Sequence, residues 1–264
     1  MGDYGVTVKS LNSTRTPAHP LPALSVLVTG FGPFKTNAVN ASYLVASALP
    51  PLFTYTSKTE SGLFERSVYI HVHPSSIPVA YSAVRSTLPE ILTQFADTHG
   101  GRRPDLVIHI GIASARPYYS VEVQAHRDDY NITDINGELG YEDGEKIWKE
   151  MGLPPILTPG STKAEEKGSA ITPYPPNEHF LQTWKAFAPP DLDIRLSHDA
   201  GHYLCDFIYY TSLSLAQLQD QDRNVLFLHV PASPEEAAIE RGRKIALALM
   251  KTMATCWVDE KHAT

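Results

Sequence analysis

Cysteine is scarce in this chain: 264 residues hold only two, Cys205 and Cys256. A chain of this length needs no disulfide framework to fold, so both are expected to stay reduced. Long apolar runs are absent too, and no stretch would cross a bilayer as a helix. Positive charge is short, with 22 Lys and Arg against 29 Asp and Glu and a net charge of -7, which argues against a nucleic-acid footprint. Neither nucleic acid nor membrane is expected as a partner. The first residues, Met1 to Pro22, lack the basic flank and apolar centre of a secretory signal. They read as a flexible extension of a cytosolic protein, in which the sequons at Asn12, Asn40 and Asn131 are chance matches.

What the chain does have is 42% hydrophobic and 19% charged residues, ordinary for a soluble globular protein, with apolar segments spread evenly enough for one domain over 23–264. Leu24 to Gly30, Arg66 to Val72, Asp105 to Gly111, Tyr119 to Ala125, Asp193 to Ser197 and Asn224 to Val230 read as strands. Helical periodicity falls between several of them. A first helix follows Asn40 and stops before Pro50-Pro51, and a longer one carries Val79, Val84, Leu88, Ile91, Leu92 and Phe95 up to Gly100-Gly101. Leu204, Ile208 and Leu215 mark another, and Ser233-Pro-Glu-Glu236 opens the last by a capping box with Pro at its first position. Strands alternating with helices predict a three-layer α/β/α sandwich with a mostly parallel central twisted sheet. Residues 131–190 hold most of the loop signals and are expected to be irregular, either covering a site or disordered.

Two tempting motifs carry little chemistry. Gly30-Phe-Gly32 follows a strand, but Pro33 and Phe34 come next and no third Gly or Gly-Lys-Ser/Thr cradle follows for phosphate. His71 and His73 face one side of an extended segment without a nearby Asp, Glu or Cys to complete a ligand set.

The most informative stretch is Asp193 to Leu213, read as a short strand, a turn at His198 to Gly201, and a helix with Cys205 in its opening turns. Unpaired N–H groups and the positive end of the helix dipole favour a thiolate there and can hold an oxyanion. Taken alone, Cys205 would more often be a small buried hydrophobe. Glu122 lies on a strand whose alternation sends it to the face opposite Val121 and Val123, and His229 ends a short apolar strand at an edge where α/β sites form.

The run Ser197-His-Asp-Ala-Gly-His-Tyr-Leu-Cys-Asp-Phe-Ile-Tyr-Tyr-Thr-Ser-Leu213 closely resembles the nucleophile segment of pyroglutamyl peptidase I, a family of cysteine peptidases that remove N-terminal pyroglutamate. Thr29-Gly-Phe-Gly-Pro-Phe34 with Val39-Asn-Ala-Ser42 is similar to the same family's N-terminal signature, Gly111 to Glu122 to its turn before the catalytic Glu, and Phe-Leu-His-Val-Pro231 to its histidine segment. The resemblance implies Cys205 as nucleophile, His229 as base, Glu122 as the group orienting it, and Phe31, Phe34 and Asn40 around the lactam ring. It implies pyroglutamyl peptides as substrates and no metal or cofactor. The chain departs from bacterial members by carrying Val123 and Arg127 where they commonly have Arg and Asn. His198 and His202 are rival bases nearer Cys205 in sequence, ranked below His229 because they belong to the nucleophile turn itself. Two other readings stay open: a thiol amidase acting on another small cyclic or acyl amide, and a catalytically silent α/β binding protein.

Overall fold

The computed structural model describes residues 21–34, 37–59, 62–161 and 174–259. Most of the expected N-terminal extension, Asn12 included, and residues 162–173 of the expected excursion lie outside the described residues.

The elements follow in the order β1 (Leu24–Gly30), α1 (Ala41–Ser47), β2 (Leu52–Thr59), β3 (Gly62–Val72), α2 (Tyr81–Thr98), β4 (Leu106–Ile112), β5 (Tyr119–Glu122), β6 (Ala125–His126), α3 (Lys146–Glu150), β7 (Ile156–Leu157), α4 (Glu178–Phe187), β8 (Ile194–Ser197), α5 (Leu204–Leu218), β9 (Val225–Val230) and α6 (Glu236–Met253). Seven strands form one sheet in the order β2-β3-β1-β4-β9-β5-β8. The central β3, β1, β4 and β9 run parallel, β2 pairs antiparallel with β3, and β5 pairs antiparallel with β9 and parallel with β8.

Period-two alternation divides the buried side chains between the two faces. Val26, Val28, Ile108, Ile110, Leu226 and Leu228 meet α1, α4 and α6 through residues such as Val45, Trp184 and Leu249. Leu27, Phe31, Val107, Val225 and Phe227 meet α2, α3 and α5 through Val84, Trp148 and Phe207. The result is the helix–sheet–helix sandwich expected from the sequence.

Local chemistry sets the helix ends. Asn40 caps α1, its side chain accepting the Ser42 N–H, and α2 closes at Gly100 and Gly101, both at positive φ (64° and 82°). The last helix begins later than expected: Ser233 reaches only the Glu235 N–H at 3.4 Å, and Glu235, still extended at ψ 143°, is the cap. The described part of 131–190 is more ordered than its turn residues suggest. Tyr141–Glu145 forms a wide helical turn leading into α3, where Trp148 is fully buried, and Asn177 caps α4, which buries Phe180 and Trp184. Aromatic anchors and a good cap outweigh the prolines around them. No helix among the described residues is long and apolar enough to cross a membrane.

Candidate active site

Cys205 is the second residue of α5. The preceding turn is held by Gly201 and His202 at positive φ (92° and 44°) and by Asp199 Oδ1 accepting the Gly201 N–H at 2.8 Å. Tyr203, extended and without a side-chain cap, is the N-cap, and the first bond into the helix runs from the Phe207 N–H to the Tyr203 carbonyl at 2.9 Å. The N–H groups of Leu204, Cys205 and Asp206 have no acceptor among the described residues. These are the orphan donors of a helix start, and one of them is the nucleophile's own N–H.

The sheet supplies the partners. Gly111 of β4 lies so close beneath α5 that an added Cβ would sit 2.8 Å from Cys205 Sγ, and it pairs in register with His229 of β9. The His229 ring packs 4.7 Å from that of Phe227. β5 runs antiparallel alongside, Ser120 facing His229, which brings the fully buried Glu122 to the histidine: Glu122 Oε1 and His229 Nδ1 are 2.7 Å apart. With Nδ1 donating to a carboxylate, Nε2 is left as the basic nitrogen. Tyr209, on α5 one turn beyond the nucleophile, donates its hydroxyl to the Glu122 carbonyl at 2.9 Å. One helix thus carries the thiol and braces the strand that holds the carboxylate.

Arg116 was not singled out by sequence, although it joins these parts. Its Nη1 donates to Glu122 Oε1 at 2.8 Å and Ser120 Oγ at 3.0 Å, and its Nη2 to the Asp199 carbonyl in the nucleophile turn at 2.7 Å. The Ser-Ala-Arg-Pro turn offered only a cation near a buried carboxylate as a signal. The rival histidines are placed elsewhere: His198 is exposed, and His202 Nδ1 lies 3.0 Å from the Asp128 carbonyl. Arg127, at a position of departure from the bacterial pattern, pairs with Asp128 and donates to the Leu153 carbonyl, while Val123 is buried.

The thiolate expected from the helix start is opposed by its surroundings. Burial pushes the Cys205 thiol up, and the Glu122 and Asp206 carboxylates push it further, with Arg116 pulling the other way. Desolvation and two negative neighbours thus act against the dipole of the helix start.

Of the pocket candidates, Phe34 is partly buried and packs with Tyr203, ring centroids 6.2 Å apart. Phe31 is only 3% exposed and belongs to the core under α2 and α5. Asn40 is also buried: its Nδ2 donates to the Gly32 carbonyl at 2.9 Å, its Oδ1 accepts from the Ser42 N–H and hydroxyl, and Ser42 Oγ accepts the Phe31 N–H. Asn40 and Phe31 shape the loop from within, and Phe34 borders the nucleophile's N-cap.

Pyroglutamyl-peptidase 1 from human, mouse and rat is 30% identical to this chain over 216 residues, 80% of either sequence. The chain belongs to the pyroglutamyl peptidase I family. A pyrrolidone-carboxylate peptidase from Pyrococcus furiosus is 26% identical over 220 residues, covering 83% of this chain and 86% of its own. Solved structures of a P. furiosus pyrrolidone carboxyl peptidase variant and of pyroglutamyl peptidase I from Bacillus amyloliquefaciens share the fold, with TM-scores of 0.59 and 0.57 at 20% identity, over 87% and 90% of this chain and 98% and 96% of theirs. No protein-family model matches the chain. The seven-stranded sheet and its flanking helices are therefore the pyroglutamyl peptidase I fold.

Proposed function

We propose that this protein is a cytosolic cysteine omega-peptidase that hydrolyses the amide bond after an N-terminal pyroglutamyl residue, with Cys205, His229 and Glu122 as its triad. The observation that carries the reading is the 2.7 Å contact of His229 Nδ1 with the buried Glu122 carboxylate, beside a cysteine at a helix start. Cys205 Sγ attacks the pyroglutamyl carbonyl while its proton passes to His229 Nε2, and the developing oxyanion is met by helix-start N–H groups. His229 then gives that proton to the departing amine, and the C–N bond breaks to leave a thioester. Water attacks the thioester, His229 takes its proton, and pyroglutamate leaves as the thiol is restored. Glu122 holds the imidazole in one tautomer and stabilises its cationic form.

The pyroglutamyl lactam is small, flat and uncharged, with one N–H and one C=O. A wall of Phe34 and Tyr203, on a loop set by Phe31 and Asn40, suits such a group. The test is a fluorogenic pyroglutamyl amide assayed beside prolyl and alanyl amides. Turnover of the pyroglutamyl amide alone is expected. Equal turnover of another acyl amide would favour a broader thiol amidase, and no turnover of any would leave a silent binding protein.

A further inference from the structure

Next to the nucleophile lies a second cluster that the peptidase chemistry does not use. Asp206, the residue after Cys205, is fully buried, and its Oδ1 accepts the backbone N–H of His126 at 3.0 Å. Its other oxygen, Oδ2, lies 2.9 Å from His126 Nδ1 and 3.8 Å from His202 Nδ1. The two imidazole rings stand 4.6 Å apart, and one donor atom from each of the three residues falls within 4.8 Å of the others.

From these positions we infer that His126, His202 and Asp206 form a binding site for a single divalent transition-metal ion of the zinc class. Two imidazoles and a carboxylate are a donor set that zinc accepts, and bonds of about 2.0–2.2 Å in tetrahedral geometry put donors about 3.4 Å apart. The separations of 2.9 and 3.8 Å to Asp206 Oδ2 bracket that value, and the three donor atoms all lie within 4.8 Å of one another.

An outer contact orients the carboxylate donor. The backbone N–H of His126 fixes the Asp206 carboxylate through Oδ1 at 3.0 Å. His202 is held at φ 44° and exchanges its 3.0 Å contact with the Asp128 carbonyl for the ion. Its side chain is 38% exposed against 16% for His126 and 0% for Asp206, which provides the entry path and leaves a fourth position to solvent. The set spans β6 and the start of α5, so an ion ties the segment following Glu122 to the segment carrying Cys205.

The experiment titrates zinc chloride into the full chain carrying Cys205→Ala, stripped with chelator, by calorimetry. This variant removes the thiol as a competing ligand and keeps all three donors. One ion per chain is expected, and His202→Asn should weaken binding by about tenfold or more. Asparagine tolerates the positive φ, so this variant should retain the fold, to be checked by circular dichroism. His126→Gln should weaken binding likewise. Cobalt added to the Cys205-containing protein should give tetrahedral d–d bands without a thiolate charge-transfer band. Absence of saturable binding, unchanged affinity in folded His202→Asn, or a thiolate charge-transfer band as the sole signature would overturn the assignment.

Discussion

Arg116 Nη1 and His229 Nδ1 converge on the same oxygen, Glu122 Oε1, at 2.8 and 2.7 Å, while Glu122 Oε2 is buried with no partner among the described residues. A fully buried carboxylate with one unpartnered oxygen stays ionised only if cations offset its desolvation. Arg116 supplies a guanidinium at 2.8 Å from the shared oxygen.

Arg116 is accordingly a positioning residue for the dyad. Arg116→Met should remove a hydrogen-bond donor that fixes Glu122 Oε1 and the one charge that pulls the Cys205 thiol down. The expected loss is about 10- to 100-fold in kcat/KM, about 1.4–2.7 kcal/mol, with the acid limb of the pH profile moved to higher pH. Arg116→Lys should recover part of the rate. A stability loss with an unmoved pH profile would reduce Arg116 to a structural role.

The upward push on the Cys205 thiol has its own consequence. Alkylation of Cys205 by uncharged iodoacetamide should keep accelerating past about pH 9, because burial, Glu122 and Asp206 all raise the thiol above its ordinary value. Cys256 is fully buried and should react only on unfolding. A rate plateau already reached at neutral pH would instead reveal a standing thiolate–imidazolium pair.

The choice among three histidines can be put to mutants. His229→Ala should cost far more turnover than His198→Ala or His202→Ala, because only His229 contacts Glu122 among them. Glu122→Gln should lower kcat, and the double mutant with His229→Ala should be little worse than His229→Ala alone, since residues acting as a unit are not additive. A larger loss at His198 or His202, or strictly additive losses, would move the base elsewhere.

The parts of this site visible in sequence are those set by local pattern. Cys205 falls at a helix start because Gly201 and the apolar spacing after it say so, and His229 ends a strand because Pro231 follows. The alternation of β5 put Glu122 opposite Val121, but alternation carries no direction, and the antiparallel run of β5 beside β9 was hidden. The hairpin of β2 and β3 was half missed for a related reason: Leu52–Thr59 pairs antiparallel at a sheet edge, where exposed residues interrupt the apolar pattern. Arg116 and the Asp206–His126 contact depend on tertiary pairing, the latter across 80 residues, which no local signal encodes.

Another buried histidine bears on acid stability. His109, fully buried in β4, bonds Thr29 Oγ1 through Nδ1 at 2.7 Å and leaves Nε2 without a partner among the described residues. Burial lowers its pKa from 6.5 to about 3. The unfolded chain therefore binds this proton first: the contribution is intact above pH 6.5 and is lost progressively as pH falls towards 3. At pH 5 the loss is about 2 kcal/mol. Urea unfolding at pH 7.5 and pH 5 should show a pH-dependent drop smaller by about that amount in His109→Gln. An identical drop in wild type and variant would show that His109 takes no part in it.

The close approach of β4 to the nucleophile gives the sharpest steric test. A Cβ on Gly111 would stand 2.8 Å from Cys205 Sγ and 2.5 Å from Phe227 Cζ, both shorter than real contacts allow. The Phe227 ring is fully buried and packs on the His229 ring, so neither neighbour can move without disturbing the thiol or the base. Gly111→Ala should therefore destabilise the fold by about 1–3 kcal/mol, as overpacking does, yet lower kcat by far more than a stability loss of that size explains in a protein still folded at assay temperature. KM should change less than kcat, because the clash falls on the reacting groups and not on the Phe34 wall. Circular dichroism with steady-state kinetics of the folded variant measures both. A Gly111→Ala enzyme with near wild-type kcat would mean that Cys205 Sγ can leave this position without loss, and that its resting place against Gly111 is not the reactive one.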